Sequence, residues 1–158
     1  MGGSVGSPQV IGLLSERLRD CIALQWNCSQ ARSVIISQAS NGLRELSEEV
    51  HGAVLAYADL IAERVEELGG VVDGTICGVE ARITPFRSSA ADRGASAFSR
   101  LMSDVLWEFD RSTRRSIVTL NMLGDTVCVD LMLEVASGID QWKSRIAAHH
   151  SSGSAGVA

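Results

Sequence analysis

Chain breakers are scarce in this sequence and bunched where they occur. Its two prolines are Pro8 and Pro85, and its clearest turn signals are Asn41-Gly42, Gly69-Gly70 with Asp73-Gly74, and Gly124-Asp125. Proline removes a backbone donor and clashes with the preceding turn, so long proline-free runs leave helices free to extend. Between the turn signals, apolar residues recur at steps of three and four, the period of a helix with one buried face. Ile11, Leu14, Leu18, Cys21, Ile22 and Trp26 form the first stripe, with Ser7 as cap and Pro8 in the first turn. That helix is expected to reach about Ser40. A second, over 43–68, carries Leu43, Leu46, Val50, Val54, Ile61, Val65 and Leu68. A long connection to about Ser88 follows. The third helix, over 91–122, takes in Phe98, Leu101, Val105, Leu106, Phe109, Ile117 and Leu120, and the fourth starts at Asp125 as cap and ends near His149.

Short links make antiparallel neighbours, whereas one long connection lets the second and third helices run parallel. The expected class is therefore all-α: a ferritin-like four-helix bundle with a long crossover between helices 2 and 3. It should occupy residues 10–149, between a flexible leader (1–9) and a disordered tail (150–158). Hydrophobic residues make up 46% of the chain and aromatics 4%, which suits a core of small aliphatic side chains between helices.

Charge and cysteine usage exclude several classes. The formal net charge is −5, with one lysine, Lys143, so nucleic acid exerts no general attraction and binding would need a local basic patch. Cys21, Cys28, Cys77 and Cys128 show no CxxC or zinc-ligand spacing. Met1 to Val10 lacks a charged segment followed by an apolar one, and no run of 18 apolar residues exists. The expectation is a cytoplasmic protein with reduced thiols and no membrane span.

The most informative stretch runs from Asp59 to Gly70, DLIAERVEELGG. Asp59 and Glu63 stand four apart, so both carboxylates leave one face of a helix one turn apart. Such a pair is often only a solvated face; the surroundings argue for more. Trp26-Asn27, the run from Asp59 to Gly74-Thr75, the helix start Gly124-Asp125-Thr126-Val127-Cys128-Val129-Asp130, Ile139-Asp140-Gln141-Trp142 and Ala148-His149 together resemble the Dps proteins, twelve-subunit mini-ferritins. The likeness covers roughly residues 11–149.

The resemblance implies a homo-dodecameric cage that takes up iron(II), oxidises it with oxygen or peroxide and stores the ferric product. In that family the oxidation centre lies between two subunits at a twofold interface. Asp59 and Glu63 match the acids from one chain, and Glu48 matches the third acid, from the other. Two histidine positions depart, being occupied by Gln25 and Arg44. Iron(II) is well served by carboxylate with imidazole. Gln offers a neutral carbonyl oxygen, and the guanidinium of Arg44 has no lone pair to give. Arg44 facing the acids would form a salt bridge in place of the metal. Trp26 to Asp59 is also about seven residues longer than the resemblance implies, close to two helical turns.

Candidate ligands are thus Asp59, Glu63 and Glu48, with Gln25 and His51 as further candidates and iron, or another divalent metal, as the ion. Trp26 corresponds to a family aromatic that absorbs stray oxidising equivalents, a role compatible with core filling. Cys21, Gln25 and Cys28 share a helix face and could form a soft metal site, although small thiols on an apolar stripe are usually core. His149-His150 is expected to cap the fourth helix rather than bind metal. Asp130 and Asp125 correspond to the residues lining the family's threefold pores, although Asp125 also suits an N-cap. Family DNA binding uses basic mobile tails, which are absent here, and twelve subunits would carry roughly sixty negative charges, so no tight DNA binding is expected. Two further readings stand beside the iron cage: a non-catalytic shell or ligand-binding subunit whose metal site is closed by Arg44, and a helical interaction module unrelated to iron.

Overall fold

The computed structural model describes residues 6–35, 41–72 and 95–154, which form four helices: α1 (Pro8–Ile35), α2 (Asn41–Glu67), α3 (Ala95–Met122) and α4 (Thr126–Ser154). No strand occurs among the described residues.

Local sequence sets the helix ends. The Ser7 carbonyl accepts a hydrogen bond from the Ile11 amide at 3.1 Å, starting α1 behind Pro8. After α2, Gly69 turns left-handed (φ 82°), and the Gly69 and Gly70 amides donate to the carbonyls of Glu66 and Val65, both at 2.9 Å. Gly124 (φ 74°) repeats this at the end of α3, with the Gly124 and Asp125 amides donating to Asn121 and Leu120. This paired bonding satisfies carbonyls that a helix end leaves free, and glycine meets the positive φ without a Cβ penalty.

The helices neighbour one another in the ring α1, α2, α4, α3, so α2 and α3 sit diagonally. The Gly6 amide bonds the Leu68 carbonyl, placing the start of α1 beside the end of α2. Arg64 near the end of α2 meets Cys128 at the start of α4, and Glu49 near the start of α2 meets Arg145 late in α4. Helices α2 and α4 are therefore antiparallel. Since α3 and α4 are joined by a tight turn, α3 runs parallel to α2. The end of α2 and the start of α3 therefore lie at opposite ends of the bundle, about 40 Å apart for helices of 27–28 residues. The long crossover is real.

Leu14, Leu24, Leu46, Val50, Ile61, Phe98, Met102, Leu106, Leu120, Met132, Ile139 and Ile146 are fully buried. Each such side chain contributes about 1.5–3 kcal/mol relative to exposure.

Several expectations need correction. The buried face of α1 is Val10, Leu14, Cys21, Leu24 and Cys28, whereas Ile22 and Trp26 are 36% and 54% exposed. Reading the stripe through Ile22 and Trp26 rotated it off the true axis of burial, because Ala23 and Leu24 are as apolar as the residues beside them. Trp26 does not fill the core. Asn41-Gly42 opens α2 instead of forming a turn before it. Helix α4 continues to Ser154, five residues past His149, so the exposed His149 is not at its last carbonyls and does not cap it. The expected end of the first helix at Ser40, the expected start of the third at residue 91, and Cys77 lie outside the described residues.

Candidate metal site on the outer face of α2

Leu43, Leu46, Val50, Val54, Ala58, Ile61 and Val65 bury one side of α2. A helix turns 100° per residue, so Glu48, Asp59 and Glu63 fall within about 60° of one another on the opposite side. All three are exposed, while Arg44 and His51 are half-buried. Gly52 and Ala56 occupy the same outer face, and Leu55 stands on it 47% exposed. A Cβ on Gly52 would meet nothing within 4 Å.

Rise along the helix divides the set. Asp59 and Glu63 are one turn apart, but Glu48 lies about 16 Å and Arg44 about 22 Å from Asp59 along the axis. One chain therefore cannot bring Glu48 and Asp59 to a common ion, nor Arg44 to Asp59. Accordingly, among the described residues no three His, Cys, Asp or Glu side chains gather as a metal site, and Arg44 makes no ion pair with Asp59, Glu63 or Glu48.

Helix α1 adds to the Glu48 end. The Ser47 hydroxyl donates to the Cys28 carbonyl at 3.4 Å, which fixes the antiparallel register of α1 on α2. Gln25 and Trp26 then lie level with residues near 50, at the height of Glu48 and His51. Two half-sets result: Gln25, Trp26, Arg44, Glu48 and His51 toward one end, Asp59 and Glu63 toward the other.

The remaining candidates have ordinary structural work. Cys21 and Cys28 are buried in the core and form no disulfide, and burial pushes the Cys21 thiol far above its usual range, with Asp20 adding to the rise. Such a thiol stays protonated and inert, which fits the core reading over the soft site. Asp125 caps α4: its Oδ1 accepts from the Cys128 amide at 3.0 Å, and Arg64 Nη2 lies 3.7 Å away. Asp130 is exposed near the start of α4.

Two clusters were missed by sequence reasoning. Tyr57, on the inner side of α2, hydrogen-bonds Trp142 of α4 and lies against Gly138. Burial raises its phenol above the usual value despite that bond. Between α3 and α4, Asp110 is bound by Arg114 Nε at 3.0 Å and Lys143 Nζ at 2.9 Å. Asp140 receives the same two cations at 2.6 and 3.2 Å. Asp110-Arg114 and Asp140-Lys143 were legible as helical i,i+4 and i,i+3 pairs, but their joining across helices is a tertiary fact.

No family model and no curated relative matches the chain. A solved structure does. A mutant form of Dps1 from Mycobacterium smegmatis superposes with a TM-score of 0.81 over 90% of this chain and 95% of its own, at 25% identity. The chain has the Dps fold. The crossover from α2 to α3 and the ring order of the helices are the ferritin-like features this Dps fold requires. Within it, the acids of α2 face outward from the bundle, away from the core.

Proposed function

We propose that this protein is a Dps-like mini-ferritin that binds and oxidises iron(II) between paired subunits and stores it in a self-assembled, dodecameric cage. The observation that carries this reading is the split acid face of α2. Two copies meeting antiparallel about a dyad between Ala53 and Val54 would bring position 48 against 59, 44 against 63 and 52 against 55. Leu55 would then enter the open space over Gly52 of the partner subunit, as a knob into a hole. Glu48 would face Asp59 of the partner subunit. Two carboxylates held together repel unless a cation lies between them, and a hard divalent ion fits oxygen donors.

At such a site Asp59 and the partner's Glu48 hold the iron, with Gln25 and His51 at the same end as Glu48 available as further donors. Arg44 facing Glu63 of the partner subunit would neutralise that carboxylate and lower the negative charge of the centre. Two iron(II) ions each release one electron to a peroxide, which takes up two protons and leaves as two waters. Trp26, exposed at the height of Glu48, is placed to absorb an oxidising equivalent that escapes. Asp130, exposed where α4 begins, is the acid available to draw cations through a threefold pore; Asp125 is spent on its cap. Among the described residues no helix is long and apolar enough to cross a membrane, and a chain of net charge −5 is not expected to bind DNA tightly.

Arg44 also supports a second reading. It has no ion pair among the described residues, so in the assembly it can swing onto Asp59 and Glu63 of the partner subunit and close the site, leaving a non-catalytic shell. Iron(II) added without oxygen to the purified apo-assembly, followed by peroxide or oxygen, distinguishes the two. Ferric absorbance rising faster than iron in buffer, and lost in Asp59→Ala/Glu48→Ala, supports the oxidation centre. An intact cage no faster than buffer rejects it in favour of the closed shell, and an assembly far from twelve copies of 16.8 kDa rejects the cage.

A further inference from the structure

The groove between α3 and α4 holds a concentration of cations that the metal reading leaves unused. A cleft of about 540 Å³ is lined by Trp107, Asp110, Arg111, Arg114, Arg115, Val118 and Lys143. Four of the chain's fourteen Lys and Arg residues thus surround one hollow in a protein of net charge −5. The apolar part of its wall is Trp107, 60% exposed, and Val118, 61% exposed. They stand eleven residues apart, about 16 Å along α3, so the indole alone offers a broad exposed face on which a flat group can lie.

The charges do not all serve the fold. Asp110 and Asp140 account for Arg114 and Lys143, which they hold in fixed positions. Lys143 Nζ is further located 4.0 Å from the centre of the Trp107 ring, and that contact orients the indole. Among the described residues Arg111 is bound only to Glu108 one turn away, in a pair exposed on both sides, which contributes little. Arg115 has no ion pair among the described residues. Arg111 stands one turn and Arg115 two turns beyond Trp107 on the same side of α3, so their long side chains can close on one anionic group without first giving up a strong partner.

We infer that this cleft binds a small planar aromatic anion, its ring stacked on Trp107 and its carboxylate or phosphate held by Arg111 and Arg115. The volume lies in the range of ordinary small-molecule pockets. A bare inorganic anion would leave the indole exposed, and a neutral ring would leave the two arginines unanswered, so the cleft favours a ligand that offers both. The site lies on α3 and α4, away from the acid face of α2, and does not depend on the iron reading.

Calorimetric titration of the intact assembly tests this with adenosine 5′-monophosphate and 4-hydroxybenzoate as the phosphate and carboxylate probes, and adenosine and inorganic phosphate as the half-ligands. At least one probe should bind at least tenfold more tightly than either half-ligand. That binding should weaken at least tenfold in Arg111→Gln/Arg115→Gln and in Trp107→Leu. The arginines are exposed and their replacement should leave the melting temperature of the assembly unchanged, so loss of binding there is not loss of fold. Which probe binds identifies the anionic group. Failure of both probes, or binding that survives the arginine replacements, overturns the inference.

Discussion

Asp110 and Asp140 stand between α3 and α4 with two cations each, whereas Asp59, Glu63 and Glu48 stand on the outer face of α2 with no ion pair among the described residues. Both sets are carboxylates at helical spacing, and neither composition nor local pattern separates them. Their surroundings do. Asp110 is 3% exposed, and a carboxylate so buried must be paired within its own chain or lose several kcal/mol. The α2 acids keep their water, so the fold asks nothing of them and they remain available to an ion or a second copy. Charge answered inside the chain is stabilising structure, while charge left facing outward is a candidate for function.

Replacing one member of each set gives the largest contrast. Asp110→Ala should cost about 2–3 kcal/mol in thermal or denaturant unfolding, below the 3–5 expected for an orphaned buried charge because Asp140 still holds Lys143. Asp59→Ala or Glu63→Ala should change the stability of the single chain by no more than about 0.5 kcal/mol. Equal costs in the two sets would break the comparison. Gly138→Ala sharpens it within one helix layer: its new Cβ would collide with the Tyr57 hydroxyl. Loss of the Tyr57–Trp142 bond and crowding should exceed the helix-propensity gain of up to ~1 kcal/mol, leaving a net cost of about 1–2 kcal/mol. Tyr57 points inward two residues before Asp59, so iron oxidation should be spared.

Asp125 tests the boundary between the two groups. It shares the expected pore set with Asp130, yet its side chain caps α4. Asp125→Ala should cost about 1 kcal/mol in unfolding, and Asp130→Ala less than half of that. The smallest effect concerns pH. Burial works to raise the Asp140 carboxyl, but the hydrogen bonds from Lys143 and Arg114 overcome it and hold it below its ordinary value of 3.8. A depressed carboxyl contributes stability that is complete above that value and is lost as pH falls through its folded pKa. Asp140→Asn should therefore flatten the stability profile below about pH 4, by under about 1 kcal/mol because the group is half exposed. An unchanged profile would mean that Asp140 belongs with the unpaired acids.

Much of the bundle was legible because each of its rules is local. The twin glycine caps, Pro8 behind Ser7 and the apolar steps of α2 and α3 all act within a few residues, so sequence spacing carries them. The axis of α1 was misread where Ile22, Ala23 and Leu24 offered three apolar choices in a row, and only the packing partner decides among them. The end of α4 was missed because Ser151, Ser152 and Gly153 read as a tail, although weak propensity does not forbid a final turn. At the candidate site the spacing of Asp59, Glu63 and Glu48 along one helix was readable, but joining Gln25 and Trp26 to the Glu48 end took the register that Ser47 and Cys28 set.

The bundle consists of two sequence-local pairs, α1 with α2 and α3 with α4, joined by one crossing. Every side chain of the candidate iron face belongs to the first pair, and every side chain of the aromatic-anion cleft to the second. Drift in one therefore has few contacts through which to disturb the other, and replacements in the two should act additively. Such a chain can lose or remodel one capability while inheriting the other intact, as two tools on one handle.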